Sequence, residues 1–136
     1  MRYLLDTNVI SELRKSRPDA HVVEWSRSVP LVKCYVSVIT LGEIRRGIER
    51  KRPKDTGYAE LLEHWLLKLE AAYAGRILPL YRKTADIWGR LDVQTGQLID
   101  AQIAATALQH DAILVTRNIK DFKNVGLKLI NPFETL

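Results

Sequence analysis

Four acidic residues stand among apolar neighbours in this chain. Asp6 follows Tyr3-Leu4-Leu5, and Glu43 closes the stretch Ser37-Val38-Ile39-Thr40-Leu41-Gly42. Asp100 precedes Ile103, Ala104, Ala107 and Leu108, the spacing of one helical face. Asp121 comes after the apolar run Ile113-Leu114-Val115 and the turn-like Thr116-Arg117-Asn118. Each acid has a local explanation. Asp6 and Asp100 are good helix caps, Glu43 has Arg46 and Arg50 along its own helix, and Asp121 suits a turn. None of these explains why acids take apolar-stripe positions on several separate elements.

Convergence of those acids would demand a counter-charge. Two carboxylates about 4 Å apart repel by about 4 kcal/mol at an effective dielectric near 20. Three or four in one crevice would consume most of the roughly 5–15 kcal/mol by which a domain is stable. They must take up protons or a cation. An all-oxygen donor set suits a hard ion, Mg²⁺ or Mn²⁺. Structural zinc prefers Cys and His, and His21, His64 and His110 show no ligand spacing. A hard cation favours phosphodiester chemistry, because it polarises a phosphate oxygen and lowers the pKa of water. Neither a Ser/His/Asp or Cys/His pairing nor a Gly-rich phosphate loop is visible, which fits a mechanism without a protein nucleophile.

The charge pattern is compatible with a polyanionic substrate. Lys and Arg number 21 against 16 Asp and Glu, a net charge of +5. The whole excess lies between Arg45 and Lys54, where Arg45, Arg46, Arg50, Lys51, Arg52 and Lys54 face Glu49 alone. Arg46, Arg50, Lys51 and Arg52 are therefore candidate nucleic-acid contacts. The alternative is a solvated helix end, where cations are favoured anyway.

The elements that must position these residues alternate between strand and helix. Tyr3 to Leu5 reads as a strand ending at Asp6, with Thr7 or Asn8 capping a helix through about Lys15. Pro18 and Asp19 begin a second helix, Val32 to Val38 reads as a strand, and a helix follows from Thr40 to Arg50. Tyr58 to Tyr73 is a helix with Leu61, Leu62, Trp65, Leu66, Leu69, Ala72 and Tyr73 on one stripe and Leu67 off it. Arg76 to Leu80 is a strand, and helices from Lys83 to Val93 and Asp100 to Gln109 are separated by Gly96. Ala112 to Val115 is a buried strand and Leu127 to Ile130 an edge strand. The pattern predicts a three-layer α/β/α fold, a short, mostly parallel sheet flanked by helices. In such folds the functional crevice lies beyond the C-terminal strand ends. Trp25, Trp65 and Trp88 sit at helical spacing with aliphatics and read as core.

With 136 residues, 46% of them hydrophobic, the chain reads as one domain, 1–136, able to bury its own core. The lone Cys34 can form no internal disulfide and implies a reducing, cytoplasmic setting. No apolar run approaches a membrane span, and Asp6 interrupts any nascent signal-peptide core.

Four blocks in order resemble the PIN-domain ribonucleases, specifically toxins of the VapC/FitB type. These are Leu4-Leu5-Asp6-Thr7-Asn8, Ser37 to Glu43, Asp100 to Ala107, and Leu114-Val115-Thr116-Arg117-Asn118-Ile119-Lys120-Asp121-Phe122. The resemblance covers almost the entire chain. It implies that Asp6, Glu43 and Asp100 are acidic metal-site residues and that Asn8 and Thr116 hold acids in place. The family's fourth acid stands either where this chain has Asn118 or where it has Asp121, and Asp121 is the choice made here. The resemblance further implies a Mg²⁺- or Mn²⁺-dependent endoribonuclease, the toxin of a type II toxin–antitoxin pair, commonly a homodimer and silenced by a small cognate antitoxin. Leu67, beside Leu62 and Leu66, would extend an apolar groove for such a partner.

Two other readings stand beside this one. A haloacid-dehalogenase-type phosphatase also begins with a strand ending in Asp, but needs a second acid where this chain has Asn8. A non-catalytic nucleic-acid or protein-binding module explains the basic cluster but not the acids.

Overall fold

The computed structural model describes residues 1–95 and 97–134. Its elements are β1 (Tyr3–Leu5), α1 (Thr7–Arg14), α2 (Ala20–Ser28), β2 (Cys34–Ser37), α3 (Val38–Lys51), α4 (Thr56–Ala72), β3 (Ile77–Leu78), α5 (Arg82–Thr95), α6 (Leu98–Gln109), β4 (Ile113–Val115) and β5 (Leu129–Ile130). Short 3-10 turns cover Leu31–Lys33 and Ile119–Phe122. The five strands form a sheet in the order β3-β2-β1-β4-β5, and every pairing is parallel. The expected α/β/α layering and mostly parallel sheet are both present.

Strand alternation divides the core in two. Leu5, Val36 and Val115 point to one face, where Val9, Ile10, Val22, Trp25, Ile48 and Leu66 of α1 to α4 cover them. Leu4 and Leu114 point to the other, against Ile103, Ala104 and Ala107 of α6 and against Phe122. Helix α6 is buried on most sides, from Ala101 to Ala107 with Gln102 half-buried. Its small alanines let it sit close to the sheet. Asp100, at its first turn, is thereby carried to the sheet's edge.

Several boundaries differ from expectation. Leu31 to Lys33 form a 3-10 turn rather than the start of β2, although Val32 is β-branched. The reason is register: Cys34 already pairs with Tyr3, the first residue of β1, so earlier residues have no strand to join. Strand β3 is two residues long and stops before Pro79, which has no N–H to donate. Strand β5 is likewise confined to Leu129–Ile130. Helix α3 starts at Val38, two residues earlier than Thr40, because the Ser37 hydroxyl caps it by accepting the Ile39 N–H (3.0 Å). On α4, Leu61 and Ala72 are exposed rather than part of the buried stripe, and Ala59 and Leu66 are its fully buried members. Leu67 is exposed, as expected from its phase. Gly75 carries φ +81 just past α4, a turn that a side chain would strain. The expected break at Gly96 lies outside the described residues.

Trp25 is buried edge-on to Tyr3 (5.7 Å between ring centroids), and Trp65 and Trp88 are half-buried. Cys34 is buried, which pushes its thiol pKa up, against a smaller lowering by Arg76. That is the opposite of an activated nucleophile.

Candidate functional site

Asp6 is the last residue before α1 and sits at the C-terminal end of the central strand. Its backbone N–H donates to the Val115 carbonyl of β4 (2.9 Å), which fixes the chain where three strands end together. The residue is 5% exposed, and its carboxylate sits in a polar cradle. Oδ1 accepts the Thr7 N–H at 2.8 Å, and Oδ2 accepts the Thr116 hydroxyl at 2.8 Å and the Asn8 amide at 3.4 Å. Asn8 is itself held, since its Oδ1 accepts the Arg117 N–H (3.1 Å). The position a haloacid-dehalogenase-type enzyme would fill with an acid thus serves as a brace.

Glu43 projects from α3 toward the same edge. The Thr7 hydroxyl donates to its Oε1 (2.6 Å) and lies 3.2 Å from the buried Thr40 hydroxyl. Among the described residues Glu43 forms no ion pair with Arg46 or Arg50, so its local alternative does not operate. Thr7 therefore links two candidate acids, one through its backbone and one through its side chain. The sequence predicts Thr7 or Asn8 as the cap of α1, but Asp6 caps it and Thr7 is its first residue, bonded to a Glu43 that is 36 residues away.

Asp100 is half-buried at the first turn of α6. Asp121 is exposed in the 3-10 turn that the buried Phe122 pins to the core. Asn118, the other position for a fourth acid, is exposed and donates its backbone N–H to Thr116 Oγ1 (3.1 Å).

The four acids act on one another electrostatically. Burial pushes the Asp6 carboxyl pKa above its ordinary value; the bonds from Thr116 and Thr7 oppose that, and Glu43 and Asp121 add to it. Burial likewise raises Asp100, with Asp6 and Asp121 adding. Charge repulsion therefore runs from Asp6 to Glu43, from Asp6 to Asp100, and from Asp121 to both aspartates. Among the described residues no three His, Cys, Asp or Glu side chains close into a ligand cage. The donor set is spread and all oxygen. That fits a small hard cation, which keeps several waters and takes few direct carboxylates.

The basic cluster divides into bound and free members. Arg45 pairs with Glu49 (3.2 Å) and Glu63 (3.0 Å), and Arg52 pairs with Glu49 (2.8 Å) and with Glu63. The bonds to Glu63 fasten α3 to α4, and those to Glu49, within α3, hold its carboxyl down to about 2, Arg52 contributing more than Arg45. The Lys51 ammonium lies over the Tyr58 ring (5.5 Å). Arg52 and Lys51, both candidate nucleic-acid contacts, are thus engaged within the fold, Arg52 because an acid on the neighbouring helix lies within reach. Arg46 and Arg50 are exposed and, among the described residues, have no acidic partner. They line a groove of about 480 Å³ that also contains Glu43.

The PIN domain family model matches residues 3–128. The chain is 37% identical to VapC ribonuclease Y4jK of Sinorhizobium fredii over 140 residues, covering 96% of this chain and 97% of that one. The solved structure of FitAcB from Neisseria gonorrhoeae superposes with a TM-score of 0.85 at 33% identity, covering 98% and 99% of the two chains. A toxin-antitoxin complex from Klebsiella pneumoniae superposes with a TM-score of 0.73 at 25% identity, covering 98% and 99%.

Proposed function

The chain belongs to the PIN-domain family, in its VapC/FitB branch, and on that premise we propose that it is a metal-dependent endoribonuclease, the toxin of a toxin–antitoxin pair. The observation that carries this reading is geometric: buried Asp6 ends the central strand, Thr7 bonds both its carboxylate and that of Glu43, and Asp100 and Asp121 stand close enough to act on its charge.

Asp6, Glu43, Asp100 and Asp121 would hold a hard divalent ion, Mg²⁺ or Mn²⁺. When bound, such an ion supplies charge neutralisation and Lewis-acid activation of a phosphodiester and water. The chain's own residues set the stage. Thr116, Asn8 and the Thr7 N–H aim the Asp6 oxygens, and the Thr7 hydroxyl aims Glu43. Because these bonds favour the ionised form of Asp6 against its burial, they keep an anionic acceptor available in a largely desolvated place.

The proposed partners are RNA, a second copy of the chain and a small cognate antitoxin covering the crevice. Leu61 and Leu67 on α4 and Leu31 and Val32 before β2 supply exposed apolar surface for protein contacts. No helix among the described residues is long and apolar enough to cross a membrane.

Cleavage of a single-stranded RNA by the purified chain, followed with added Mn²⁺ and with excess chelator, tests the proposal. Asp100→Asn is expected to reduce cleavage at least about 100-fold, since even groups that only support a metal ligand are worth 10- to 100-fold. Cleavage that survives both the substitution and the chelator, in protein free of contaminating nuclease, refutes it.

A further inference from the structure

Two grooves each contain one of the acids that flank Asp6. The first runs along α3 and is lined by Ile39, Glu43, Arg46, Arg50 and Ile99. The second, of about 400 Å³, lies at the 3-10 turn after β4, where Arg117, Lys120 and Lys123 line it together with Asp121 and Glu134. Each groove therefore contains one of the candidate acids. The sheet order explains the placement: β2 leads into α3 on one side of β1, and β4 leads into the 3-10 turn on the other. Asp6 ends the strand between them.

Cations line both grooves without being consumed by the fold. Arg46, Arg50, Lys120 and Lys123 are exposed and, among the described residues, have no ion-pair partner. Arg46 and Arg50 stand about 4.5 and 10.5 Å along the helix axis from Glu43, from a rise of 1.5 Å per residue. They form a row leading away from the centre. Gly42 and Gly47 keep the floor of that row low, since a Cβ on either would meet nothing within 4 Å. Nothing inside the fold requires glycine at these helical positions, where it weakens the helix. Arg117 has its guanidinium 4.6 Å from the Phe133 ring centroid, which stiffens the wall of the second groove.

We propose that one RNA strand crosses the centre from groove to groove, held by Arg46 and Arg50 on one flank and by Lys120 and Lys123 on the other. Resting on the ribonuclease reading, this makes the substrate a single strand gripped on both sides of the cut, and the product two internal fragments. Charge complementarity selects RNA as the occupant: each groove presents exposed cations that, among the described residues, have no acidic partner, set to either side of Asp6 and able to bind phosphates away from the acids themselves. A strand that is gripped on both flanks needs no free end.

The test is binding of a labelled single-stranded RNA of about a dozen nucleotides to the full chain in chelator, where no cleavage obscures it. Arg46→Gln/Arg50→Gln and Lys120→Gln/Lys123→Gln each remove two phosphate contacts. Each is expected to reduce the slope of log affinity against log salt by about 1.4, roughly a sevenfold smaller loss of affinity between about 50 and 200 mM salt. A circular RNA, supplied with Mn²⁺, is expected to be opened. If either pair leaves the slope unchanged, the strand does not use that flank; the two-sided track is then overturned, and an antitoxin bound weakly by the same variant becomes the groove's occupant. Linear RNA trimmed from its ends while the circle stays intact also overturns it. Absence of cleavage on every RNA, with no divalent-ion binding, instead defeats the underlying ribonuclease reading.

Discussion

Asp6→Asn is expected to abolish RNA cleavage while leaving a folded protein that is more stable at neutral pH in the absence of metal. The substitution keeps the shape of the side chain. Its amide oxygen still accepts the Thr7 N–H; the NH₂ that replaces Oδ2 gives up the bonds from Thr116 and Asn8, a cost set against the relief of burying and crowding a charge there. The negative charge at the centre of the acidic group is lost, so the drop in activity exceeds the 10- to 100-fold typical of groups that only support a metal ligand. The stability gain follows from the raised Asp6 pKa. From its ordinary value of 3.8 up to its raised folded value, the folded state binds more protons than the unfolded one. Stability therefore falls as pH rises through that window and levels off above it. Asn cannot titrate, so the difference in stability between variant and parent grows over the same window. Urea melts in chelator at pH 4 and pH 7 measure it. A variant less stable than its parent at pH 7 would show that the Asp6 charge serves the fold.

Thr116→Val carries the second-largest effect. Thr116 is fully buried; its hydroxyl donates to Asp6 Oδ2 and accepts the Asn118 N–H and the Asn8 amide. Valine matches the volume and removes all three bonds. The donors left behind cost about 1–3 kcal/mol, and activity falls about 10- to 100-fold through a misaimed Asp6. Losing the Thr116 bond also removes the largest influence lowering the Asp6 pKa, so the acid limb of the pH–rate profile moves to higher pH. Thr116→Ser restores the hydroxyl and is expected to recover both rate and profile. A Val variant with a reduced rate but an unmoved acid limb would assign Thr116 to packing alone.

Much of this arrangement is legible in the chain because parallel strands must end together. Asp6 and Asp121 follow apolar runs, and Asp100 lies in the first turn of a helix that apolar residues surround, so topology alone brings them to one edge. What sequence reading misses depends on contacts between distant residues. The Thr7–Glu43 bond joins α1 to α3, and nothing local to either residue announces it. Arg52 reads as a free cation in a basic run, yet Glu63 on the next helix takes it up. Lys120 and Lys123 go unnoticed for the opposite reason: they stand singly in a loop, with no run of charge around them. Leu61 shows the limit of periodicity, since its phase fits the apolar stripe of α4 but no neighbouring element covers that side.

If a hard divalent ion makes the carboxylates at the sheet's end compatible, it must bind through them and be lost with them. Calorimetric titration of Mn²⁺ into the metal-free chain and into folded Asp100→Asn tests it most directly. A saturable isotherm at or below millimolar Mn²⁺ in the parent, lost in the variant, is the predicted result. Identical isotherms for the two proteins, or no binding by the parent, would contradict it.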